Sequence, residues 1–434
     1  MRRALPALTL LAAALLLKGQ SLGSDCATGQ VSGGGRTAIT RTTQGFQLER
    51  NGQPYPVRGA CAWDHFAELK EGGGNSVRTW GAKDDSELYD RAEALGLSVC
   101  AGLWFDWAPD RPEYMRQQFD SICSHVRKYR NHPAILMWGI GNEYERGVTD
   151  PDLWKAIEEL AKAIKEIDPN HPAITVVAEI DREKVAALKQ HCPSLDALGV
   201  NSYGGLLSLP TRLREYGWDR PYVVTEFGEA GPDELGKTTW GAPIEPSSTY
   251  AAAHWIEPAY DLLAKEMAEG RCLGSYIYLW GVHRSFGPTA TWYHLFLRSG
   301  ERLAGTDAAI VAWTGHPPAN RAPEIVSFRA SAGLEQVTPG SRQEAEVTYR
   351  DRDGDAVEAR LEILAERPAG EDPWPASYPA NIVDAEDGTL AFTAPQEPGA
   401  YRLYVYLLDG KGGAATANAP FLVFDPEKTD RGGR

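Results

Sequence analysis

Between about residue 45 and residue 315, short apolar runs alternate eight times with longer helix-patterned segments. That count constrains the fold more than any other feature. The runs, rich in Val, Ile, Ala and aromatics, lie at 55–61, 76–80, 97–104, 135–140, 174–178, 197–202, 222–226 and 273–280. Helical patterns fill 86–95, 112–129, 150–167, 181–191 and 249–269, and one more follows the last run at 302–313. Alternation of this kind is the signature of parallel βαβ units. Eight units close a sheet on itself, so a (β/α)8 TIM barrel over 45–315 is expected. An open doubly wound sheet would more often carry a Gly-rich phosphate loop after its first strand, and no G-x-G-x-x-G occurs. A hairpin turning at Asn51-Gly52 is expected to lead into the first strand.

The flanks differ in composition. Residues 1–23 open with Arg2 and Arg3, continue through an apolar run and reach Ser21 and Gly23. This is the layout of a signal peptide, so the protein is expected to be exported to the periplasm or the medium. A lipoprotein anchor at Cys26 is disfavoured by Asp25 before it. Residues 24–44 read as a flexible leader. After the barrel, "GHPPANRAP" places three prolines in a linker at 316–323. Short alternating runs over 324–426 then read as an immunoglobulin-like β-sandwich, with a tail at 427–434.

Composition excludes some partners. With 59 acidic and 44 basic side chains the formal charge is −15, which repels phosphate backbones, so no nucleic acid is expected as a partner. No segment has the roughly 18 uninterrupted apolar residues of a membrane span, so no transmembrane helix is expected. Six cysteines permit either disulfides or buried thiols, and no Cys/His spacing suits a structural zinc. No cofactor is expected. Oligomeric state is left open.

In such a barrel, catalytic groups come from the C-terminal ends of the strands. The fourth run ends in "ILMWGIGNE" and the seventh in "YVVTEFG", which puts Asn142, Glu143 and Glu226 at one rim. Two glutamates from opposite strands suit cleavage of a β-glycosidic bond with retention. One carboxyl gives a proton to the leaving oxygen, and the other attacks the anomeric carbon across a gap of about 5–5.5 Å.

"NHPAILMWGIGNE" and "YVVTEFG" resemble the acid/base and nucleophile motifs of glycoside hydrolase clan A, and are most similar to the barrel domain of family 2, with a family 5-like barrel as the alternative. The resemblance implies that Glu143 is the acid/base, that Glu226 is the nucleophile, and that Asn142 binds the sugar 2-hydroxyl. Through "GGNSVRTWG" and "NSYGG" it implies that Arg78 and Tyr203 hydrogen-bond the nucleophile, and it puts Trp280 where an aromatic platform lies beneath the sugar. Where the family's second-strand motif carries a histidine two places after Arg-Thr, this chain has Trp80 and Gly81, so Trp80 becomes a candidate replacement contact.

Other rim residues are weaker candidates. Trp63, Asp64 and His65 end the first strand, and Asp64 also suits a helix cap. Trp104, Asp106 and Trp107 end the third, while Glu179 closes the fifth and could instead cap the next helix. His283 follows the eighth, and the long loop 231–248 with Trp240 suggests a lid or subsite wall. "DRDGD" at 351–355 suits calcium by composition but breaks the EF-hand pattern, and a plain Asp-Gly turn is preferred. Three readings follow: a retaining glycoside hydrolase, a transglycosylase using the same two glutamates, and a non-catalytic polysaccharide-binding barrel.

Overall fold

The computed structural model describes residues 35–81, 86–378, 383–384 and 389–424. The expected signal peptide and tail lie outside them. Eight parallel strands close into a barrel in the order β10-β11-β4-β5-β6-β7-β8-β9. They are β4 (Val57–Cys61), β5 (Ser76–Arg78), β6 (Ser98–Leu103), β7 (Ile135–Ile140), β8 (Ala173–Ala178), β9 (Ala197–Asn201), β10 (Tyr222–Phe227) and β11 (Cys272–Ile277). Every residue of β6, β7, β9, β10 and β11 is buried. Strands covered on both faces carry continuous apolar runs, which is why they were countable in the sequence.

The helices show the complementary pattern. In Asp152–Ile167 the buried residues Leu153, Trp154, Ile157, Leu160, Ala161 and Ile164 fall on one stripe that faces the sheet. Helix Pro112–Tyr129 starts with proline at its first turn and ends with Arg127 and Lys128, matching the helix's end charges. The expected helix at 249–269 is interrupted, because Ala252–Ile256 is π-helical between two α-helical pieces.

One expectation for the flanks is corrected. Within the supposed flexible leader, Thr37–Arg41 is a strand (β1) paired antiparallel with β2 (Phe46–Arg50). The hairpin at Asn51-Gly52 has both residues at positive φ and pairs β2 with β3 (Gln53–Pro54). Leu48, with Ile39 and Phe46 beside it, packs into the apolar cluster holding Val57, Met137 and Val176, so this small sheet plugs the barrel. Threonine and a β-branched isoleucine suit a strand; the adjoining glycines masked that signal.

Beyond the barrel, β12 (Glu324–Ala330), β14 (Arg342–Arg350), β17 (Thr389–Thr393) and β16 (Val383–Asp384) form one sheet. The facing sheet comprises β13 (Gln336–Val337), β19 (Ala414–Val423), β18 (Gly399–Leu408) and β15 (Glu358–Ala365). Ile325, Phe392, Leu403, Val405 and Phe421 fill the space between them. The proline-rich linker is pinned by side chains: Arg321 N–H donates to Asp353, Ala322 N–H to Asp307, and the Asn320 amide to Asp409. Cys61, Cys100, Cys123, Cys192 and Cys272 are buried free thiols. Among the described residues no helix is long and apolar enough to cross a membrane.

Candidate active site

Strands β5, β7, β9 and β10 deliver a connected set of polar side chains to one rim. Glu226, in β10, is buried and receives three donors. Arg78 Nη1 donates to its Oε1 at 2.5 Å, Trp80 Nε1 donates to the same oxygen at 2.6 Å, and the Tyr203 hydroxyl donates to Oε2 at 2.7 Å. Both oxygens accept, which is the pattern a carboxylate anion satisfies. The donors themselves are held protonated. Burial, then the charge of Glu226, pushes the Tyr203 hydroxyl far above the ordinary tyrosine range, while on the Arg78 guanidinium burial is outweighed by the charge of Glu226 together with the effects of Cys61, Cys100 and the hydrogen bond to Glu226. Behind them burial keeps Cys61 a thiol, with its sulfur 3.7 Å from Arg78 Nη1.

Gly102 explains how Trp80 gets there. A Cβ at that position would lie 2.3 Å from the Thr79 carbonyl oxygen and 2.4 Å from the Trp80 carbonyl carbon. Only glycine lets β6 pass so close to the chain carrying Trp80.

Glu143 follows β7 in the left-handed region, with φ of 52°. Its amide donates to the Val176 carbonyl, which fixes the turn. Asn201 Nδ2 donates to Glu143 Oε1 at 3.0 Å, and Arg146 Nη1 to Oε2 at 2.9 Å. The two glutamates are joined through amides: Asn142 Oδ1 accepts from Arg78 Nη2 at 2.6 Å and from Asn201 Nδ2 at 3.1 Å. Thr225 Oγ1 donates to Asn201 Oδ1 at 2.8 Å and orients that amide. Glu143 keeps 21% of its side chain exposed and Glu226 only 7%. One carboxylate therefore meets the open rim while the other is enclosed by donors.

Several expected contacts lie elsewhere. Trp280 is 1% exposed, so it offers no platform. Its Nε1 donates to the His65 carbonyl, and its ring packs against Phe296 and Trp313. Asp64 points outward, 73% exposed and 3.7 Å from Arg91. The following helix is capped at His65 without a side-chain bond, so Asp64 is not its cap. His65 stacks on Phe296 at 4.1 Å. Glu179 accepts from Ser202 and pairs with Arg212 at 2.6 Å, and the cap of the next helix is Asp181. Trp104 is half exposed, with Nε1 on Asp106. Trp63 lies against Trp80 at 4.5 Å, so the aromatic wall of the site is Trp63 and Trp80 together. His283 and its neighbour His294 are held neutral by burial.

Sequence reasoning missed Asn201, Tyr278 and Tyr293. Asn201 had a usable signal, an amide closing an otherwise apolar strand just before Tyr203. Tyr278 meets Trp80 and Tyr203 edge-on at 5.8 and 6.0 Å. Tyr293 lies 5.0 Å from Tyr203 and comes from an irregular loop with no periodicity to mark it.

In "DRDGD", Asp351 Oδ1 accepts from the amides of Asp353 and Asp355, which is the local bonding of an Asp-Gly turn. Lys411 Nζ lies on Asp355 at 2.5 Å.

Residues 61–240 match the family model described as glycosyl hydrolases family 2, TIM barrel domain. Over 132 residues the chain is 30% identical to a putative beta-glucuronidase of Formosa agariphila, covering 25% of this chain and 13% of that protein. It is 23% identical over 282 residues to a beta-galactosidase of Vibrio cholerae, covering 57% and 25%. The chain thus spans a quarter or less of the length of these two relatives. Among solved structures, a Bacteroides uniformis beta-glucuronidase superposes with a TM-score of 0.50 at 15% identity, covering 89% of this chain and 48% of that one. At that identity the likeness is one of fold.

Proposed function

From a barrel that belongs to glycoside hydrolase family 2 over residues 61–240, we propose that the protein is a retaining β-glycoside hydrolase. Glu226 is the nucleophile and Glu143 the acid/base. The substrate is a β-linked oligo- or polysaccharide, met after export. The observation that carries this reading is the unequal setting of the two glutamates. Glu226 accepts from Arg78, Trp80 and Tyr203, whereas Glu143 keeps part of its side chain at the open rim, where a leaving group departs.

The reaction has two displacements. First, a Glu226 carboxylate oxygen bonds to the anomeric carbon while the glycosidic C–O bond breaks and the Glu143 carboxyl gives its proton to the departing oxygen. Water then attacks the same carbon. Glu143, now a carboxylate, takes the water proton as the ester bond to Glu226 breaks. Arg78, Trp80 and Tyr203 aim the nucleophile and accept no proton in either step. In this reading Asn142 binds a hydroxyl next to the anomeric centre, a role supported by the bonds from Arg78 and Asn201 that orient its amide.

The test uses aryl β-glycosides, including glucuronides and galactosides, with azide as a foreign nucleophile. Glu226→Ala is expected to lose turnover by roughly 10⁴-fold or more and with azide to release the α-glycosyl azide. Glu143→Ala with azide should release the β-anomer from a substrate whose leaving group needs no proton. An unimpaired Glu226→Ala enzyme would sink the assignment.

A further inference from the structure

We propose that Glu229 is a positioning residue of the active site, whose carboxyl holds Tyr293 in place beside Tyr203, the residue that donates to Glu226. This rests on the hydrolase reading above. Glu229 lies just beyond β10, three residues after Glu226, and is 8% exposed. Its Oε1 accepts the Tyr293 amide proton. Tyr293 stands in the left-handed region at φ of 66°, which a residue with a bulky side chain rarely adopts without support from its surroundings. Its ring lies 5.0 Å from Tyr203 and 5.5 Å from Tyr278. Burial keeps its hydroxyl protonated, and the carboxyls of Glu229, Glu234, Glu226 and Glu143 act in the same direction. A Cβ on Gly231 would come within 2.9 Å of the same hydroxyl oxygen, so the loop after β10 closes over it.

A second carboxyl explains how Glu229 can sit there. Glu245, 7% exposed, shares with Glu229 a small cavity of about 20 Å³, lined also by Tyr293 and His294. Glu245 accepts from Thr289 Oγ1 at 2.5 Å, Thr291 Oγ1 at 2.6 Å and Asn418 Nδ2 at 2.7 Å, and faces Arg402. Among the described residues Glu229 has only the Tyr293 amide. Burial first, and the neighbouring Glu245 second, push the Glu229 carboxyl well above the usual carboxylate range, and burial raises Glu245 as well, against the opposing effects of Arg402 and its three donors. A neutral carboxyl accepting one amide is what glutamine reproduces.

The test compares Glu229→Gln, Glu229→Ala and Tyr293→Phe in the full chain, on an aryl β-glycoside that the wild type cleaves. Glu229→Ala should lower kcat by about thirtyfold with KM shifted less than about threefold, and Glu229→Gln should restore kcat to within about threefold of wild type. Tyr293→Phe should fall between them. Amide exchange over residues 291–295, followed by mass spectrometry, needs no substrate. It should be slow in the wild type and in Glu229→Gln, and fast in Glu229→Ala. Wild-type kcat in Glu229→Ala, equal losses in Ala and Gln, or unchanged exchange in Ala would each overturn the inference. A wild type inert towards every β-glycoside would remove the hydrolase reading instead, while the exchange data would still judge the tether.

Discussion

Trp80 shows how a single side chain can be placed at the site by sequence while one of its contacts goes unseen. Its position suggested a sugar contact replacing a histidine, but its indole N–H is spent on Glu226, beside the Arg78 bond to the same oxygen. A donor that aims the nucleophile acts in the transition state and hardly at all on substrate binding. Trp80→Phe should therefore lower kcat by about 10- to 100-fold, since losing a bond to a charged acceptor costs about 1.5–3 kcal/mol, with KM nearly unchanged. Steady-state kinetics decide, and a raised KM at normal kcat would return Trp80 to the role of sugar contact. The bonds from Arg78 and Tyr203 to Glu226 were legible because both residues lie in motifs at strand ends. Trp280 was not, because a residue past a strand end can turn either way, and here it turns into the core. Trp280→Ala should accordingly cost about 3–5 kcal/mol of stability, read as a lowered denaturation midpoint, and any kinetic loss should follow the loss of folded protein.

Among the elements, legibility followed burial. The barrel strands were countable because most are apolar along their length, and their observed ends differ from the expected ones by three residues at most. The helices Phe66–Glu71 and Leu209–Glu215 are too short to establish a period, and β1 is hidden in polar residues beside a glycine run. Helix Pro112–Tyr129 matched its expected bounds, yet it carries a group whose behaviour only packing reveals. His125 sits among Tyr89, Tyr129 and Trp138, with its Nε2 3.0 Å from the Tyr89 hydroxyl. Burial, then the nearby Lys128 cation, lowers its pKa from 6.5 to about 4. Burial does the same for His283. Between those two values the unfolded chain binds protons that the folded chain does not, so stability is full above pH 6.5 and falls as the pH drops towards 4. The slope is at most about 1.4 kcal/mol per pH unit for each group, and less for His125, which is partly exposed. Urea unfolding from pH 7 to pH 4.5 should show this decline, and His125→Gln, which can keep a bond to Tyr89, should flatten it. An identical decline in the variant would assign it to other groups.

For the whole molecule, composition suggested a barrel with an appended module, and the interface is what sequence could not supply, since its donors and acceptors lie far apart in the chain. The sandwich is fastened to the loops after β10 and β11. Arg402, 1% exposed, donates to the Pro243 carbonyl, to Glu366 and to Asn418, and Asn418 donates in turn to Glu245. The Ala290 amide donates to the Tyr404 hydroxyl, and Arg302 exchanges backbone bonds with Gly412 and Ala414. Glu245 also anchors Thr289 and Thr291, so the sandwich holds the same loop that presents Tyr293. A module bound this way should unfold with the barrel, and its loss should be felt at the active site. Removing Arg402 leaves the partly buried Glu366 without its ion-pair partner and the buried Glu245 without a nearby cation, a change that costs up to about 3–5 kcal/mol. Arg402→Ala in the full chain should lower the urea midpoint as one cooperative transition, monitored together by tryptophan fluorescence and far-UV circular dichroism. Near the wild-type midpoint, turnover should fall in step with both signals. If the variant instead unfolds in two separated steps, with kcat intact after the first, then the sandwich is an independent attachment and the barrel needs no help from it.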